Sequence, residues 1–316
     1  MILKEQPRLR HNKVLNVFIV SQIPKRISHP LGIGFDQIEL FLKEYIRKDR
    51  DEKTSTPDLG LSLSHIEKIE GIEEMLSGIR QSPLCLIEGC TSPNNGKALK
   101  EFIEKIGINN PEIHAIDLID VKTFLRNYGI EMPMTTFSVG DATNLRKSYS
   151  DSSVDVVAQD FLLNCAPYTT HLPIMQEVKR ILTPQGKGLI CFTDQQCILG
   201  QEQITYQQVQ KELGLRFNED AFCIRDLLPD DKRYDLDLKE KVLNELKGKV
   251  LVNGREDRYT LVTTEGGNFE FFQPFDSYQK ILLQSGLEIE GMEKSSGIDR
   301  NGITCVRYRT VLRKIK

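Results

Sequence analysis

The chain has 316 residues, of which 39% are hydrophobic and 28% charged, and its net charge is −3. This length allows one large domain with insertions or two modest ones, and the composition excludes a wholly disordered chain. The apolar runs are far shorter than the roughly 20 residues that a membrane helix needs, so no membrane segment is predicted. The slightly acidic balance argues against a nucleic-acid partner, because such proteins normally carry a basic stripe.

The N-terminal residues and the cysteines bear on the cellular compartment and on metal binding. The first eight residues are charged and lack an apolar segment with a small-residue cleavage site, so we expect a cytoplasmic protein. The seven cysteines are scattered without a CxxC pair, and several lie inside apolar runs. Neither a disulfide framework nor a metal site is predicted.

The first 80 residues are the least regular part of the sequence. Ser64-His65-Ile66-Glu67 has the form of a capping box and predicts a helix. Its apolar residues recur at spacings of three and four and are Ile66, Ile69, Ile72, Leu76 and Ile79. We expect this stripe to pack against the core rather than to form a lid.

From residue 84 onward, short apolar strands alternate with helical segments, which predicts a mostly parallel sheet wrapped by helices. The five strands predicted here are Leu84–Glu88, Ile113–Leu118, Thr135–Ala142, Val154–Ala158 and Gly188–Thr193. The alternation lapses between residues 195 and 274, where helices are predicted at Gln201–Leu213 and Asp237–Leu246 and a hairpin turn at Glu265–Asn268. A helix at Ser277–Gln284 and strands at Leu287–Glu293 and Thr304–Leu312 follow. The link between these last strands is too short for a helical crossover, so they should be antiparallel.

The first strand ends in a stretch of small residues, Glu88-Gly-Cys-Thr-Ser-Pro-Asn-Asn-Gly96, that leads into a helix. A parallel strand followed by a helix N-terminus presents backbone N–H groups and the helix dipole to a ligand. An ordinary strand-to-helix turn has the same pattern, so this stretch alone leaves both interpretations open.

Later segments resemble the class I S-adenosylmethionine-dependent methyltransferases. Glu177-Val-Lys-Arg-Ile-Leu-Thr-Pro-Gln-Gly-Lys-Gly-Leu-Ile-Cys191 is similar to the helix, Pro-Gly turn and fifth strand of that family. Val139–Leu145, followed by Asp155–Val157 and Phe161–Leu163, resembles the third and fourth strands of small-molecule members, and Tyr278–Glu290 the last helix and sixth strand. The resemblance implies an α/β fold: a Rossmann-like doubly wound sheet with a C-terminal antiparallel strand pair, which NAD-binding Rossmann folds generally lack.

The resemblance also implies an organisation into four segments. Residues 1–80 would be a mainly helical N-terminal cap, and residues 81–194 the Rossmann-like methyltransferase core. Residues 195–274 would be an inserted cap and substrate region, and residues 275–316 would complete the core sheet. The two cap segments would lie over the carboxyl edge of the sheet and determine substrate specificity.

The family's first loop usually has the pattern acid-x-Gly-x-Gly-x-Gly, and this chain departs from it. In one alignment Gly89 is the first glycine, and Thr91 and Pro93 replace the other two. In the other alignment Glu88 is the acid, and the glycine positions hold three small residues, Cys90, Ser92 and Asn94. The second alignment fits better, because an apolar strand then ends in an acid. The substitutions leave room for a weakened or lost cofactor site.

The resemblance assigns S-adenosylmethionine to the carboxyl ends of the first four strands. A carboxylate suits its ammonium group or its ribose diol, because a carboxylate accepts two hydrogen bonds. The residues assigned to the cofactor are Glu88, Gly89 and Cys90 near the methionine end, Asp117 and Leu118 at the ribose, Asp141 and Ala142 at the adenine, and Gln159 and Asp160 beside the transferred methyl. Asp120 competes with Asp117, and a capping or turn-forming role is the structural alternative for Glu88 and Asp141.

Methyl transfer is an in-line displacement, so the protein orients the reactants and, where needed, removes a proton. Asp160 and His171 are the predicted catalytic residues, and Asp194 is a further candidate base by position. For His171 the alternative is a solvated or helix-capping role.

The sequence therefore favours S-adenosylmethionine-dependent methyl transfer to an oxygen or nitrogen atom of a small molecule or short peptide. A methyltransferase-like binding protein that has lost catalysis is the alternative that the degenerate loop suggests. An NAD-dependent oxidoreductase is disfavoured, because GxGxxG is absent and the last two strands are predicted to be antiparallel.

Overall fold

The computed structural model describes residues 64–89, 93–118, 120, 122, 136–198, 200–252, 258–262, 267–298 and 304–315. Most of the predicted N-terminal cap and the predicted cofactor residue Cys90 therefore lie outside the described residues.

The described residues contain strands in both halves of the chain. In chain order they are β1 Leu84–Glu88, β2 Glu112–Asp117, β3 Thr136–Val139, β4 Val154–Asp160, β5 Leu182–Thr193, β6 Gln203–Thr205, β7 Val250–Val252, β8 Tyr259–Val262, β9 Phe269–Phe272, β10 Leu287–Ile298 and β11 Thr304–Lys314.

The α-helices of the same part of the chain connect these strands. They are α1 Ile72–Leu76, α2 Pro93–Lys105, α3 Leu162–Cys165, α4 Tyr168–Ile181, α5 Tyr206–Leu213, α6 Leu236–Leu246 and α7 Phe275–Ser285. Short 3-10 helices add single turns at Ser64–Lys68, Gln195–Cys197, Ile224–Leu227 and Asp230–Lys232. None of the helices described is long and apolar enough to cross a membrane.

The main sheet has seven strands in the order β10-β11-β5-β4-β1-β2-β3. Strands β1 to β5 pair in parallel, whereas β11 is antiparallel to both β5 and β10. This arrangement confirms the predicted fold class, including the C-terminal antiparallel pair. The predicted positions of β1, β2 and β4 agree because parallel strands buried on both faces have continuous apolar sequences. The third strand is shorter than predicted, at Thr136–Val139, and the fifth begins earlier, at Leu182.

Helices cover the sheet on two faces. On the first, which we call the α2 face, Leu99 and Ile103 pack with Ile87 and Ala158. On the second, the α4 face, the core is formed by helix and strand residues that include Met175, Val178, Tyr278, Leu86 and Val157. Alternate residues of a strand therefore point to different faces, which decides where each candidate side chain lies.

The segment before β1 differs from the single predicted helix. It forms the 3-10 turn Ser64–Lys68 and the short helix α1, separated at Gly71, which has a φ of 73°. A glycine adopts this left-handed conformation readily and ends the first turn. The predicted apolar stripe is nevertheless in the core of the α2 face, as expected.

The second sheet lies within residues 203–272 and has the order β6-β7-β8-β9. Its core includes Val209, Val242, Leu251, Phe269 and Phe271, so it has a hydrophobic interior of its own. The predicted hairpin agrees with the antiparallel pairing of β8 and β9. The helix predicted from residue 201 begins later, at Tyr206, because Gln203–Thr205 pairs with β7 and Thr205 caps the helix.

Candidate active site

The candidate site lies at the carboxyl edge of the main sheet, where the chain reverses its direction of strand addition. From β1 the chain proceeds outward through β2 and β3, whereas β4 and β5 lie on the other side of β1. Ligands of open α/β sheets bind at such a switch point, outside the carboxyl ends of the two central strands. In this chain those ends carry Glu88 on β1 and Gln159 and Asp160 on β4, with Glu88 directly opposite Gln159.

Glu88 and Gln159 form a buried pair on the α4 face. Gln159 Nε2 donates a hydrogen bond to Glu88 Oε2 at 2.6 Å, and both side chains are inaccessible to solvent. Burial raises the pKa of Glu88 to about 8; the hydrogen bond from Gln159 opposes this rise, and the charge of Glu177 adds to it. Glu88 is thus closed off from solvent, and its contact with the cofactor remains a prediction.

Several buried oxygen atoms near this edge have no hydrogen-bond partner within the described part of the chain. They are Glu88 Oε1, Gln159 Oε1, Asp160 Oδ1 and, on the first half of α2, Asn95 Oδ1. Unpaired buried polar atoms are uncommon and cost free energy, so they mark places where a ligand or water completes the site. Gln159 Oε1 and Asn95 Oδ1 are acceptors, and so are Glu88 Oε1 and Asp160 Oδ1 when these carboxyl groups are ionised, which favours a ligand with N–H donors or positive charge.

Gly89 has a structural reason to be glycine. Its φ is 72°, and a Cβ atom at this position would lie 2.9 Å from Leu162 Cδ1. Its N–H donates to the carbonyl of Ile116 at 2.9 Å, which joins the end of β1 to β2. The glycine therefore allows α3 to pack closely on the strand end, and its predicted cofactor contact remains a prediction.

Asp117 and Leu118 lie at the end of β2. Asp117 is buried on the α2 face, Leu118 is half-buried and Asp120 is exposed. Of the two competing acids, only Asp117 is held by a strand that ends at the candidate site.

Asp141 and Ala142 follow β3. Asp141 Oδ1 accepts hydrogen bonds from the backbone N and the Oγ1 of Thr143, both at 2.8 Å. These contacts form an Asx turn, which is the structural alternative that the sequence left open. Ala142 is half-buried against the core of the α4 face. Their contact with adenine remains a prediction.

Asp160 points to the α2 face of the same edge, in register with Cys191 of β5. Burial raises its pKa to about 7, and the charges of Arg309 and Arg307 oppose the rise. The next residue, Phe161, has a φ of 57°, a conformation that costs a non-glycine residue roughly 1–3 kcal/mol. A carboxyl group that titrates near neutral pH beside a strained residue is suited to act as a base.

Cys165 is a residue that the sequence analysis missed at this site. Its side chain is exposed at the end of α3. The surrounding protein raises the pKa of its thiol, and so do the carboxylates of Glu270, Asp117 and Asp160. These acids come from β2, β4 and β9, so Cys165 lies near strands of both sheets. No sequence signal distinguishes it from the other scattered cysteines.

His171 lies in the first turn of α4, behind the carboxyl end of β4, and its side chain is buried. It is 1% exposed, and its Nε2 lies 2.8 Å from the carbonyl oxygen of Ala166. Its Nδ1 is 3.4 Å from Gln273 Nε2. Burial lowers the pKa of the ring to about 4, so it is neutral at physiological pH. A ring that is 1% exposed does not fit the solvated alternative, and the catalytic role of His171 remains a prediction.

Asp194 has both carboxylate oxygens engaged by backbone groups. Oδ1 accepts from the N–H of Gln196 at 2.8 Å, and Oδ2 accepts from the N–H of Phe275 at 3.0 Å. These bonds fix the exit of β5 and the start of α7, so Asp194 organises the chain at the junction.

A separate cavity of about 500 Å³ opens at the opposite edge of the main sheet. Its lining includes Ser152 before β4, Ser285 at the end of α7, and Lys314 at the end of β11. It contains no predicted site residue. Within the described residues, no group of three or more His, Cys, Asp or Glu side chains is placed to hold a metal ion.

Comparisons with known proteins give structural likeness only. No protein-family model matches the chain, and a search of curated proteins found no match. Among solved structures, a SAM-dependent methyltransferase from Methanosarcina mazei is 17% identical, with 76% of this chain and 95% of that one covered and a TM-score of 0.46. The 1,6-didemethyltoxoflavin-N1-methyltransferase of Burkholderia thailandensis, solved with 1,6-didemethyltoxoflavin and S-adenosylhomocysteine, is 11% identical over 93% of each chain, with a TM-score of 0.47. A TehB-like SAM-dependent methyltransferase from Corynebacterium glutamicum is 12% identical, with 88% of this chain and 98% of that one covered and a TM-score of 0.46.

The sheet itself has the form that the resemblance to class I methyltransferases implied: a doubly wound parallel sheet closed by an antiparallel pair. At these levels of identity, the similar structures do not identify the activity of this chain.

Proposed function

We propose that this chain is an S-adenosylmethionine-dependent methyltransferase that acts on an oxygen or nitrogen atom of a small molecule or short peptide. The proposal rests chiefly on the buried, unpaired oxygen acceptors at the switch point, Glu88 Oε1, Gln159 Oε1 and Asp160 Oδ1. S-adenosylmethionine carries an ammonium and a sulfonium group, and both are attracted to acceptors and carboxylates. The residues present therefore fit a cationic cofactor.

In the proposed site, the acceptors of Glu88 and Gln159 serve the ammonium end and Asp117 serves the ribose diol. Asp141 and Ala142 remain the candidates for the adenine. When bound, the cofactor supplies an electrophilic methyl group. The chain has to orient the acceptor atom toward that group and, for a hydroxyl or protonated amine, to accept its proton.

Asp160 is the candidate for proton acceptance, because its carboxyl group ends β4 at the switch point and titrates near neutral pH. The second sheet approaches the same edge through β9, whose Glu270 is close enough to Cys165 to influence its thiol. This arrangement supports a substrate position between the sheet edge and residues 203–272.

Two alternative functions predict different results when the binding of S-adenosylhomocysteine and NAD is measured. A scaffold that has lost catalysis is suggested by the replaced glycines and by the closed environment of Glu88. An NAD-dependent enzyme is less well supported, because β10 and β11 form an antiparallel pair.

The test compares two neighbouring acids by calorimetry with S-adenosylhomocysteine. Asp117→Asn should weaken binding about tenfold or more, because a charge-assisted hydrogen bond to a ribose hydroxyl is lost. Asp120→Asn, at an exposed position three residues further on, is the matched control and should leave binding unchanged. Equal effects of the two substitutions would remove Asp117 from the proposed cofactor site.

A further inference from the structure

Arg307 and Arg309 lie on β11, on the same face of the sheet as Asp160. Arg309 is in register with Cys191 of β5, and Cys191 with Asp160 of β4. Arg307 is in register with Thr193, the last residue of β5, so it lies one step nearer the carboxyl edge than Arg309. Because side chains at i and i+2 of a strand share a face, both guanidinium groups are on the α2 face with Asp160.

The two arginines differ in how their charges are balanced. Arg309 is 4% exposed, and its Nη1 donates to Glu293 at 2.5 Å and to Ser295 at 2.7 Å. Arg307 is half-buried and has no ion pair or hydrogen bond from its side chain to any described residue. Its guanidinium instead lies over the ring of Phe161, with 5.6 Å between Cζ and the ring centre. The edge beside Asp160 thus holds one guanidinium whose hydrogen-bond donors are unused.

The position of β11 separates this charge from the proposed cofactor residues other than Asp160. In the sheet, β4 and β5 lie between β11 and β1, and β2 and β3 lie beyond β1. The acceptors proposed for the cofactor are on β1, β2 and the end of β4. The carboxylate of S-adenosylmethionine is part of its methionine end, which the proposed function assigns to Glu88 and Gln159, so an anionic group held by Arg307 belongs to the methyl acceptor on the other side of Asp160.

We propose that Arg307 binds a carboxylate group of the methyl acceptor, so that the substrate is a monoanionic small molecule or short peptide; this inference rests on the proposed function. The planar guanidinium matches a carboxylate with two parallel hydrogen bonds, and Phe161 holds it in place by stacking. Arg307 offers one positive charge with hydrogen-bond donors that no described residue uses, and the neighbouring Asp160 disfavours a second negative charge. A carboxylate fits this balance better than a phosphate dianion.

The test measures binding to the full chain of matched acid and amide probes: 4-hydroxybenzoate with 4-hydroxybenzamide, and indole-3-acetate with indole-3-acetamide. Phenyl phosphate is the dianionic probe. Ligand-observed NMR titrations are run with and without S-adenosylhomocysteine. At least one acid should bind about tenfold more tightly than its amide, and Arg307→Gln should abolish the difference. Arg307→Lys should retain part of it.

Arg313→Gln is the matched control, because Arg313 lies on the same strand but is exposed and paired with Glu288. It should leave the preference for acids unchanged. No preference for acids at millimolar concentration, or a preference that survives Arg307→Gln, would overturn the inference. Tighter Arg307-dependent binding of phenyl phosphate than of either acid would overturn the assignment to a carboxylate.

The titrations with S-adenosylhomocysteine distinguish the carboxylate site from the proposed function. If S-adenosylhomocysteine does not bind while the acid preference depends on Arg307, the proposed function fails and the carboxylate site stands. If S-adenosylhomocysteine binds and Arg307→Gln changes no acid affinity, the carboxylate site fails and the proposed function stands.

Discussion

Two carboxyl groups at the ends of adjacent strands have different environments. Glu88 points to the α4 face and is fully buried beside Gln159, whereas Asp160 points to the α2 face near two arginines. Both have raised pKa values, to about 8 and about 7. The difference in face arises from the alternation of side chains along a strand; in the proposed function Glu88 serves the ammonium end of the cofactor and Asp160 accepts the proton.

Asp160→Asn removes the proposed base without changing the size of the side chain. If proton removal limits the rate, kcat should fall by a factor of about 10²–10⁴. In the wild type, kcat/KM should rise with pH and level off above about 7, because only the ionised carboxylate accepts a proton. The variant should lose this dependence. A pH profile that is identical in wild type and variant would exclude Asp160 as the base.

Glu88→Gln should change the pH dependence of stability. Because the folded-state pKa of Glu88, about 8, lies above the usual value for a glutamic acid, the folded protein holds this proton more tightly than the unfolded chain. The contribution is full at low pH and is lost as the pH rises from about 4.5 toward 8. The variant should therefore unfold several degrees higher than the wild type at pH 9, with little difference at pH 5.

Thermal unfolding at these two pH values measures the effect. Glu101→Gln is the control, because Glu101 is an exposed carboxyl on the surface of α2. It should give the same difference from wild type at both pH values. A lower unfolding temperature of Glu88→Gln at pH 9 would show that Glu88 is needed in its ionised form.

At the residue scale, the sequence located the acids at strand ends but not their surroundings. Asp117 and Asp160 were identifiable because each ends a recognisable apolar strand. The burial of His171 could not be identified from the sequence, because its ring contacts Gln273, which is 102 residues further along the chain. Arg307 and Cys165 were missed for the same reason, because their neighbours come from other strands.

At the scale of elements, the short helix α3 connects the two sheets. Asn164 Nδ2 donates to the carbonyls of Thr193 at 3.0 Å and Phe271 at 2.7 Å, and its Oδ1 accepts from the N–H of Thr193 at 2.8 Å. Nearby, Tyr168 Oη lies 2.7 Å from the carbonyl oxygen of Phe272 and accepts from the N–H of Tyr259 at 2.8 Å. The side chain of Asn164 thus fixes β9 relative to the end of β5, beside the candidate site.

Asn164→Ala should weaken this junction. Three backbone groups in a largely buried place lose their partner, so we expect a loss of about 2–4 kcal/mol in unfolding free energy. Hydrogen exchange should accelerate at β9 more than at β1. Asn144→Ala, at an exposed position after β3, is the control and should change neither quantity. Unchanged exchange at β9 in Asn164→Ala would show that the sheets are held together by other contacts.

Most elements of the main sheet were predictable from apolar periodicity and from the short link between the last strands. The elements that were not predicted depend on tertiary pairing. Gln203–Thr205 forms a strand only because β7 lies beside it, and the 64–79 segment breaks at Gly71, inside an otherwise helical pattern. The helix α3 has only four residues and follows Phe161 in a left-handed conformation, which local propensity disfavours.

At the scale of the whole molecule, the carboxyl edge divides by charge. Acids occupy the ends of β1, β2 and β4 and the facing strand β9, whereas Arg307, whose guanidinium has no hydrogen bond or ion pair to a described residue, lies on β11. A cationic cofactor on one side of Asp160 and an anionic acceptor on the other would each meet opposite charge. The net charge of the chain, −3, gives no sign of this division, since it follows from the order of strands in the sheet.

The most direct test of the central claim is isothermal titration of the wild-type chain with S-adenosylhomocysteine, with NAD as the comparison ligand. S-adenosylhomocysteine should bind saturably at one site per chain with a dissociation constant in the micromolar range, and NAD should not bind. Absence of any heat of binding at millimolar S-adenosylhomocysteine, or tighter binding of NAD, would contradict the central claim.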